Sequence, residues 1–410
     1  MKNIYSFILG HSSELSLVEI KNVLNFQNIS FNIINFNPKF LILETEEELD
    51  TKSLNNTLGG IIKIGKLEFF IDKLDNSENL ISSFVEIIKR NCSLDKPFTF
   101  SGEKVRGKKV KFGFSLYEKN RNVEKFIYKL AIGIKKYFKT ENISSRIVTS
   151  KNIDLSAVIV EKEHLINLGF DMQVLNVASR YYFLRTLAVQ DFARFNALDY
   201  DRPRIDSKSG MTPPKLAKMM LNLVDNKSII LDPFCGSGTI LLMAAELGFQ
   251  KIIGSDISEK AILDSKENLK WYEERFNQKV DNYVFKADVK NLLEEGIENK
   301  SINCIVSEGY LGQPLRGYED FSFIQGQISD LSDLYLESFK VFKSLLKTGG
   351  CVIITLPIFV VDNKENHLEV IKEIESMGFE EELLLENDRK LIYKREGQRV
   401  YRNVIKFVNI

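Results

Sequence analysis

The chain has 410 residues, more than one hydrophobic core usually organises, so two or three domains are expected. No uninterrupted apolar stretch approaches the ~18 residues of a membrane span, and the N-terminus lacks the apolar run and small-residue cleavage site of a signal peptide, so a soluble cytoplasmic protein is expected. Four scattered cysteines, Cys92, Cys235, Cys304 and Cys351, argue against a zinc site or a disulfide scaffold, and 56 basic residues offset 56 acidic ones for a formal net charge of zero.

Residues 1–75 read as strand, helix, strand, starting directly at Met1-Lys2-Asn3-Ile4-Tyr5 and closing on the apolar run Lys66 to Ile71. The polar stretch Asp72 to Glu78 suits a linker. Over residues 76–170, Phe98, Phe100, Phe112, Phe114 and Tyr117 alternate with polar or basic residues at strand period. These aromatics are expected in a core rather than on a stacking surface. Asn122 to Phe138 has helical spacing, and Ser145 to Val148 reads as a further strand. Between Ser101 and Lys151, fourteen Lys or Arg stand against four Asp or Glu. Such a local excess suits a polyanion, because phosphate contacts supply most sequence-independent nucleic-acid affinity. Residues 171–205 read as a connector with a helical run from Tyr181 to Phe195. Pro213 and Pro214 can open a helix from Lys215 to Leu223, since proline is tolerated in a first helical turn. Met211, Thr212 and Pro213 are therefore candidates for a cofactor wall.

The stretch Leu231-Asp232-Pro233-Phe234-Cys235-Gly236-Ser237-Gly238-Thr239-Ile240 carries most of the chemistry. An apolar strand ends in an acid, two glycines let backbone approach a ligand, and a helix starting near Thr239 offers free N–H groups to an anion. A dinucleotide fingerprint requires glycine where Leu241 stands. The acid suits an ammonium group and the helix start its carboxylate, which together describe the amino-acid half of S-adenosylmethionine. Ile252 to Ile257 is a second strand, ending in Asp256 eighteen residues past Gly238 and placed to accept two ribose hydroxyls. Tyr283 to Asp288 is a third, and its acid is placed to receive the adenine amino group. Pro233, Phe234, Cys235, Thr239, Ile257, Val289 and Ser307 complete the candidate cofactor set.

A fourth strand, Ser301 to Val306, delivers Glu308-Gly309-Tyr310 to the same sheet edge, where catalytic groups gather in open parallel sheets. An exocyclic base amine is a poor nucleophile because its lone pair is delocalised into the ring. A carboxylate accepting its N–H bonds helps restore that lone pair, and a neighbouring ring can stack on a flipped base. Glu308 and Tyr310 are the candidate catalytic residues. Cys304 and Cys351 fall within strands and are expected in the core, while His11, His164 and His367 do not cluster, so no metal site is expected. Gly350 to Pro357 closes the sheet as a fifth strand, a helix is expected from Asn366 to Met377, and Glu380 to Glu386 should pair antiparallel with Val400 to Val408. Lys394, Arg395, Arg399 and Arg402 make the approach to that last strand basic.

These segments carry a resemblance. Phe7-Ile8-Leu9-Gly10 with Glu14-Leu15-Ser16, Leu58-Gly59-Gly60-Ile61-Ile62-Lys63-Ile64, Asp199-Tyr200-Asp201-Arg202-Pro203, Gly210-Met211-Thr212-Pro213-Pro214-Lys215-Leu216-Ala217 and the Asp232 turn resemble the THUMP-domain RNA methylase family from Tyr5 to Phe407. That family includes the tRNA guanosine-10 N2-methyltransferases and bacterial relatives. The resemblance implies a Rossmann-like class I methyltransferase domain at 206–410, with a seven-stranded sheet and a C-terminal antiparallel strand. A ferredoxin-like domain at 1–75, a THUMP-like RNA-binding α+β domain at 76–170 and a linker at 171–205 would precede it. It further implies S-adenosyl-L-methionine as cofactor, tRNA as partner and a guanosine N2 as target. Lys104, Arg106, Lys108, Lys109, Lys111 and Arg146 would be RNA contacts, and the resemblance admits a small activator subunit. The chain departs from the family after strand four, where Glu308-Gly309-Tyr310 replaces Asp-Pro-Pro-Tyr, and loss of the prolines is expected to loosen the loop. Two other readings stay open: a catalytically silent RNA-binding protein, motivated by Gly309, and a DNA adenine N6-methylase, motivated by shared exocyclic-amine chemistry.

Overall fold

The structure, a computed structural model, describes residues 2–72, 81–82, 92–93, 99–100, 103–104, 109–178, 180–205, 211–315, 317–362, 364–385, 390–395 and 397–410, with backbone alone at 92–93, 99–100 and 103–104. The chain divides into two compact units. The first comprises Met1–Gly10, Ile29–Asn56 and Ile61–Phe192; the second comprises His11–Asn28, Thr57–Gly60 and Ala193–Ile410.

The first unit is built on an eight-stranded sheet with the spatial order Phe31–Phe36, Phe40–Thr45, Asn3–Leu9, Ile61–Ile71, Arg180–Val189, Gly169–Val177, Val110–Leu116 and Ser145–Ile147. The helical run expected from Tyr181 is instead a strand over Arg180–Val189, antiparallel to both Ile61–Ile71 and Gly169–Val177. Phe183 and Leu184 are both fully buried, and a strand covered on both faces loses the alternation that separates it from a helix. Residues 169–189 are thus a hairpin within the sheet rather than a connector. The helix expected from Asn122 spans Arg121–Thr140, capped by the Asn120 side chain, and buries Val123, Ile127, Leu130, Ile134 and Phe138. Phe112, Phe114 and Phe170 join that core. Phe98 lies outside the described residues.

A buried polar chain crosses this sheet. Lys63 Nζ donates to Asp171 Oδ2 at 2.8 Å and to Ser115 Oγ at 3.0 Å; Ser115 and Thr186 hydroxyls donate to the two Asp171 oxygens at 2.7 and 2.8 Å. Gln173 and Ser6 extend the chain. Each buried charge therefore has a partner, as burial demands.

The second unit contains strands β1 (Ile229–Asp232), β2 (Lys251–Asp256), β3 (Asn282–Lys286), β4 (Ile302–Ser307), β5 (Leu346–Val361), β6 (Lys364–His367), β7 (Phe379–Glu381), β8 (Leu391–Tyr393) and β9 (Val400–Asn409). Its main sheet runs β3-β2-β1-β4-β5-β9-β7, with β6 paired to β5 and β8 to β9. The first five pair in parallel, and β9 runs antiparallel between β5 and β7. Helices α1 (Thr239–Glu246), α2 (Glu259–Phe276) and α3 (Phe321–Leu345) follow β1, β2 and β4. Ile230, Cys304, Val306 and Ile353 face one core, while Leu231, Ile305, Val352 and Ile354 face the other, so both sides of the sheet are covered. Two expected elements are shorter than the sequence suggested. Residues 364–367 pair as β6 with the end of β5, leaving a helix at Ile371–Ser376, and of the strand expected over Glu380 to Glu386 the described residues form Phe379–Glu381, Glu386 lying outside them.

The helix Ser13–Phe26 belongs to this second unit, with Leu15 and Val18 in the same core as Leu216 and Met220. Its Glu19, fully buried, accepts hydrogen bonds from the backbone N–H of Gly59 and Gly60 at 2.7 and 2.8 Å and from Asn222 at 2.7 Å. A Cβ on Gly60 would lie 2.4 Å from Ser16 Oγ, so the Gly-Gly pair permits this close approach. Burial pushes the Glu19 carboxyl up to about 7.

Candidate active site

A cavity of about 640 Å³ opens at the carboxyl ends of β1, β2, β3 and β4. Four parallel strands end there, and each contributes an acid from its last residue or the loop after it. Asp232, Asp256, Asp288 and Glu308 all line the cavity, together with Met211, Thr212, Pro233, Phe234, Cys235, Gly236, Thr239, Ile257, Val289 and Tyr310. Three other sequence-predicted residues stand behind this wall: Gly238 is the N-cap of α1, Pro213 the N-cap of helix Pro214–Leu221, and Ser307 donates to Asp232 Oδ1 at 2.6 Å.

The turn after β1 is held from several sides. Gly236 and Gly238 have φ of +52° and +84°, the left-handed region where side chains are strained. A Cβ on Gly236 would meet nothing within 4 Å, so this glycine leaves open space on the cavity wall. Ser265 Oγ donates to Gly236 O at 2.6 Å and Asn268 Nδ2 to Ser237 O at 2.8 Å, both from α2. These two residues have no local signature that would mark them in the sequence.

Asp232 is 1% exposed and accepts from Phe234 N and Ser307 Oγ. Burial, only partly offset by those bonds and reinforced by the nearby Asp256 and Glu308 charges, pushes its carboxyl up to about 7. No Lys or Arg pairs with it among the described residues. Asp256 accepts from Gly236 N at 3.0 Å through one oxygen and Ser258 N at 2.9 Å through the other, which fixes the carboxylate while leaving lone pairs toward the cavity. Asp288 caps the short helical turn Val289–Asn291. Burial raises the Cys235 thiol well above its ordinary value, so it serves as wall rather than nucleophile.

Glu308 is held on both sides. One oxygen accepts from Arg402 Nε on β9, the other from Thr212 Oγ1 at 2.6 Å, and the Glu308 and Arg402 side chains are 7% and 8% exposed. Ninety-four residues separate the two ion-pair partners, so no spacing in the sequence announces them. The loop expected to be loosened by Gly309 is instead pinned. A Cβ on Gly309 would lie 2.3 Å from the Tyr335 hydroxyl of α3, which donates to Tyr310 O at 3.0 Å and Thr355 O at 3.3 Å. Gln327 Oε1 accepts from Gln313 N, and Gly312 adopts φ +88°. Helix α3 thus holds the loop in place through Tyr335 and Gln327. Beside this wall, the buried Arg202 donates to Thr239 Oγ1 at 2.8 Å and to Met211 Sδ at 2.9 Å.

The candidate RNA contacts lie in the first unit. Lys109 is exposed, while Lys111 and Arg146 both pair with Glu163 at 2.6 Å. Arg106, Lys108 and the Lys104 side chain lie outside the described residues. Among the described residues no group of His, Cys, Asp and Glu is arranged to hold a metal ion, and no helix is long and apolar enough to cross a membrane.

The donor set fits S-adenosyl-L-methionine. A buried carboxylate with no Lys or Arg partner among the described residues, a glycine cradle, a helix start and two further strand-end acids are of the kinds that an ammonium, a carboxylate, a ribose and an adenine group would need. Comparison with known proteins agrees. Residues 224–390 match a family described as a methyltransferase domain, and residues 172–267 match one described as a DNA methylase. The chain is 35% identical over 126 residues to the tRNA (guanine(10)-N2)-dimethyltransferase of Methanothermobacter thermautotrophicus, covering 30% of this chain and 35% of that protein. It is 30% identical over 118 residues to the same-named protein of Pyrococcus abyssi, covering 28% of this chain and 34% of that one. The matches therefore span about a third of the relatives' length. The crystal structure of TrmN from Thermus thermophilus, 14% identical, aligns over 100% of both chains with a TM-score of 0.57, a likeness of fold. The second unit thus carries an S-adenosyl-L-methionine-dependent methyltransferase domain of the Rossmann-like class I fold.

Proposed function

We propose that the protein is an RNA methyltransferase that modifies a guanosine N2 in tRNA. The observation that carries this reading is the position of Glu308. A carboxylate clamped by Arg402 and Thr212 lines the same cavity as Asp232, Asp256 and Asp288, with the half-exposed ring of Tyr310 two residues away. S-adenosyl-L-methionine supplies an electrophilic methyl group when bound. Glu308 accepts an N–H bond from the incoming exocyclic amine, turning its lone pair toward the methyl and receiving its proton. Arg402 and Thr212 each occupy one direction on a Glu308 oxygen, which orients the remaining lone pairs. Tyr310 lies flat beside the base. The names of the partial relatives favour tRNA and guanine N2 as target.

Within the same proposal, residues 76–170 act as a THUMP-like RNA-binding segment whose basic excess meets phosphate, with Lys109 exposed for that purpose. The DNA methylase match over 172–267 favours a second reading, methylation of adenine N6 in DNA, which uses the same carboxylate chemistry. Mass spectrometry of tRNA nucleosides from cells with and without this chain separates the two. The tRNA reading requires N2-methylguanosine to fall when the chain is removed. An unchanged tRNA profile with loss of N6-methyladenine from DNA would replace it with the second.

A further inference from the structure

The loop between β4 and α3 exposes large rings. Tyr310 is 52% exposed, Tyr318 75% and Phe321, the first residue of α3, 62%. Exposed apolar surface concentrated in one loop marks a contact site. The turn between β8 and β9 lies against this loop. A Cβ on Gly317 would approach Arg399 Nη2 to 2.5 Å, and Lys394, Arg395 and Arg399 are all exposed. The turn's position is fixed, since Arg399 O accepts from Val360 N at 2.8 Å and Arg395 N donates to Gln398 Oε1 at 2.9 Å. Three residues further along β9, Arg402 enters the cavity wall beside Glu308. The neighbouring acids are used within the loop: Glu319 accepts from Gly317 N at 2.8 Å, and Asp320 caps α3 by accepting from Phe323 N at 2.8 Å.

Exposed rings on one loop and exposed cations on the turn against it, three residues from Arg402 in the cavity wall, are what an unpaired nucleic-acid strand requires, since rings stack on bases whatever their identity and cations meet phosphates. Double-stranded nucleic acid hides its base faces and gains nothing from the rings. We propose that Tyr318, Phe321, Arg395 and Arg399 form a docking rim for the unpaired nucleotides adjoining the target base. The proposal rests on the RNA-methyltransferase reading and adds to it the single-stranded character of the acceptor at the point of reaction.

The test uses the full chain and fluorescence anisotropy with a labelled unpaired RNA of about ten nucleotides, the same RNA annealed to its complement, and S-adenosylhomocysteine as a separate ligand. Tyr318→Ser with Phe321→Ser should weaken unpaired RNA about tenfold and leave the duplex and S-adenosylhomocysteine within about twofold. Tyr318→Phe with Phe321→Tyr should restore wild-type affinity. Arg395→Gln with Arg399→Gln should lower the salt slope for unpaired RNA by about 1.4, the value for two phosphate contacts. Unchanged RNA affinity in both double variants, with wild type binding and methylating RNA, would overturn the rim and leave the enzyme reading standing. Equal losses for unpaired and duplex RNA would overturn it too, because the surface would then read charge alone. A wild type that binds S-adenosylhomocysteine but no RNA would overturn both.

Discussion

Two buried carboxylates, one in each unit, show how surroundings decide use. Asp171 sits in the middle of the first sheet, fully buried, with Lys63, Ser115 and Thr186 satisfying its charge and both of its oxygens. Asp232 is just as buried, at the end of a strand beside a cavity, yet it accepts only from the Ser307 hydroxyl and the Phe234 backbone N–H among the described residues, and burial pushes its carboxyl up to about 7. A buried charge with its own countercharge ties strands together. One without it, facing open volume, is left able to receive a cation brought by a ligand.

Lys63→Met leaves Asp171 buried and unpaired, and should lower the unfolding free energy of the first unit by about 3–5 kcal/mol in urea titrations. Adding Asp171→Leu should recover most of that loss, and a double variant no more stable than the single one would mean the pair is not what the strands depend on. At the other carboxylate the cost falls on ligand instead. Asp232→Asn should weaken S-adenosylhomocysteine by about 2 kcal/mol, the scale of a charge-assisted hydrogen bond, as read by calorimetry, while leaving unfolding at pH 8 unchanged or improved. Unaltered affinity would remove Asp232 from the ammonium site.

Acid sharpens the contrast. If Asp232 receives the ligand's ammonium in its ionised form, as we propose, protonation competes, and S-adenosylhomocysteine affinity should fall by up to about tenfold per pH unit below about 7. The unliganded fold responds with the opposite sign. A carboxyl raised from its ordinary 3.8 to about 7 holds protons that the unfolded chain releases, so its contribution is present at low pH and is lost as pH rises through that window. Glu19 acts in the same direction from 4.5 to about 7. A ligand affinity that rises on acidification would contradict the assignment. The smallest effect belongs to the loop: Tyr335→Phe removes the hydrogen bond to Tyr310 O, about 1 kcal/mol. It should reduce kcat several-fold at unchanged S-adenosylhomocysteine affinity, and an unchanged kcat would show that the loop holds without it.

Much of the second unit was legible because its chemistry sits in short contiguous runs. Asp232 with its glycine turn, Asp256, Asp288 and Glu308 each follow an apolar strand of ordinary length, and parallel topology brings them to one cavity. What supports them was not legible. Arg402 reaches Glu308 across ninety-four residues, and Tyr335 holds the Tyr310 loop from a helix that begins well after it. In the first unit, the run from Tyr181 to Phe195 reads as helix because a strand buried on both faces, here Arg180–Val189, has no alternation, and only its two pairing partners decide the matter. Helix Ser13–Phe26 lies between strands of the first sheet in sequence but packs in the second core, since its apolar face matches that of Leu216 and Met220.

The most direct test is transfer of a tritiated methyl group from S-adenosyl-L-methionine into bulk tRNA by wild type and Glu308→Ala, with S-adenosylhomocysteine binding measured on the same samples. Incorporation by wild type is expected, with a loss of at least about a hundredfold in the variant and near-equal ligand affinity in both. Undiminished incorporation by Glu308→Ala would contradict the proposed role of Glu308.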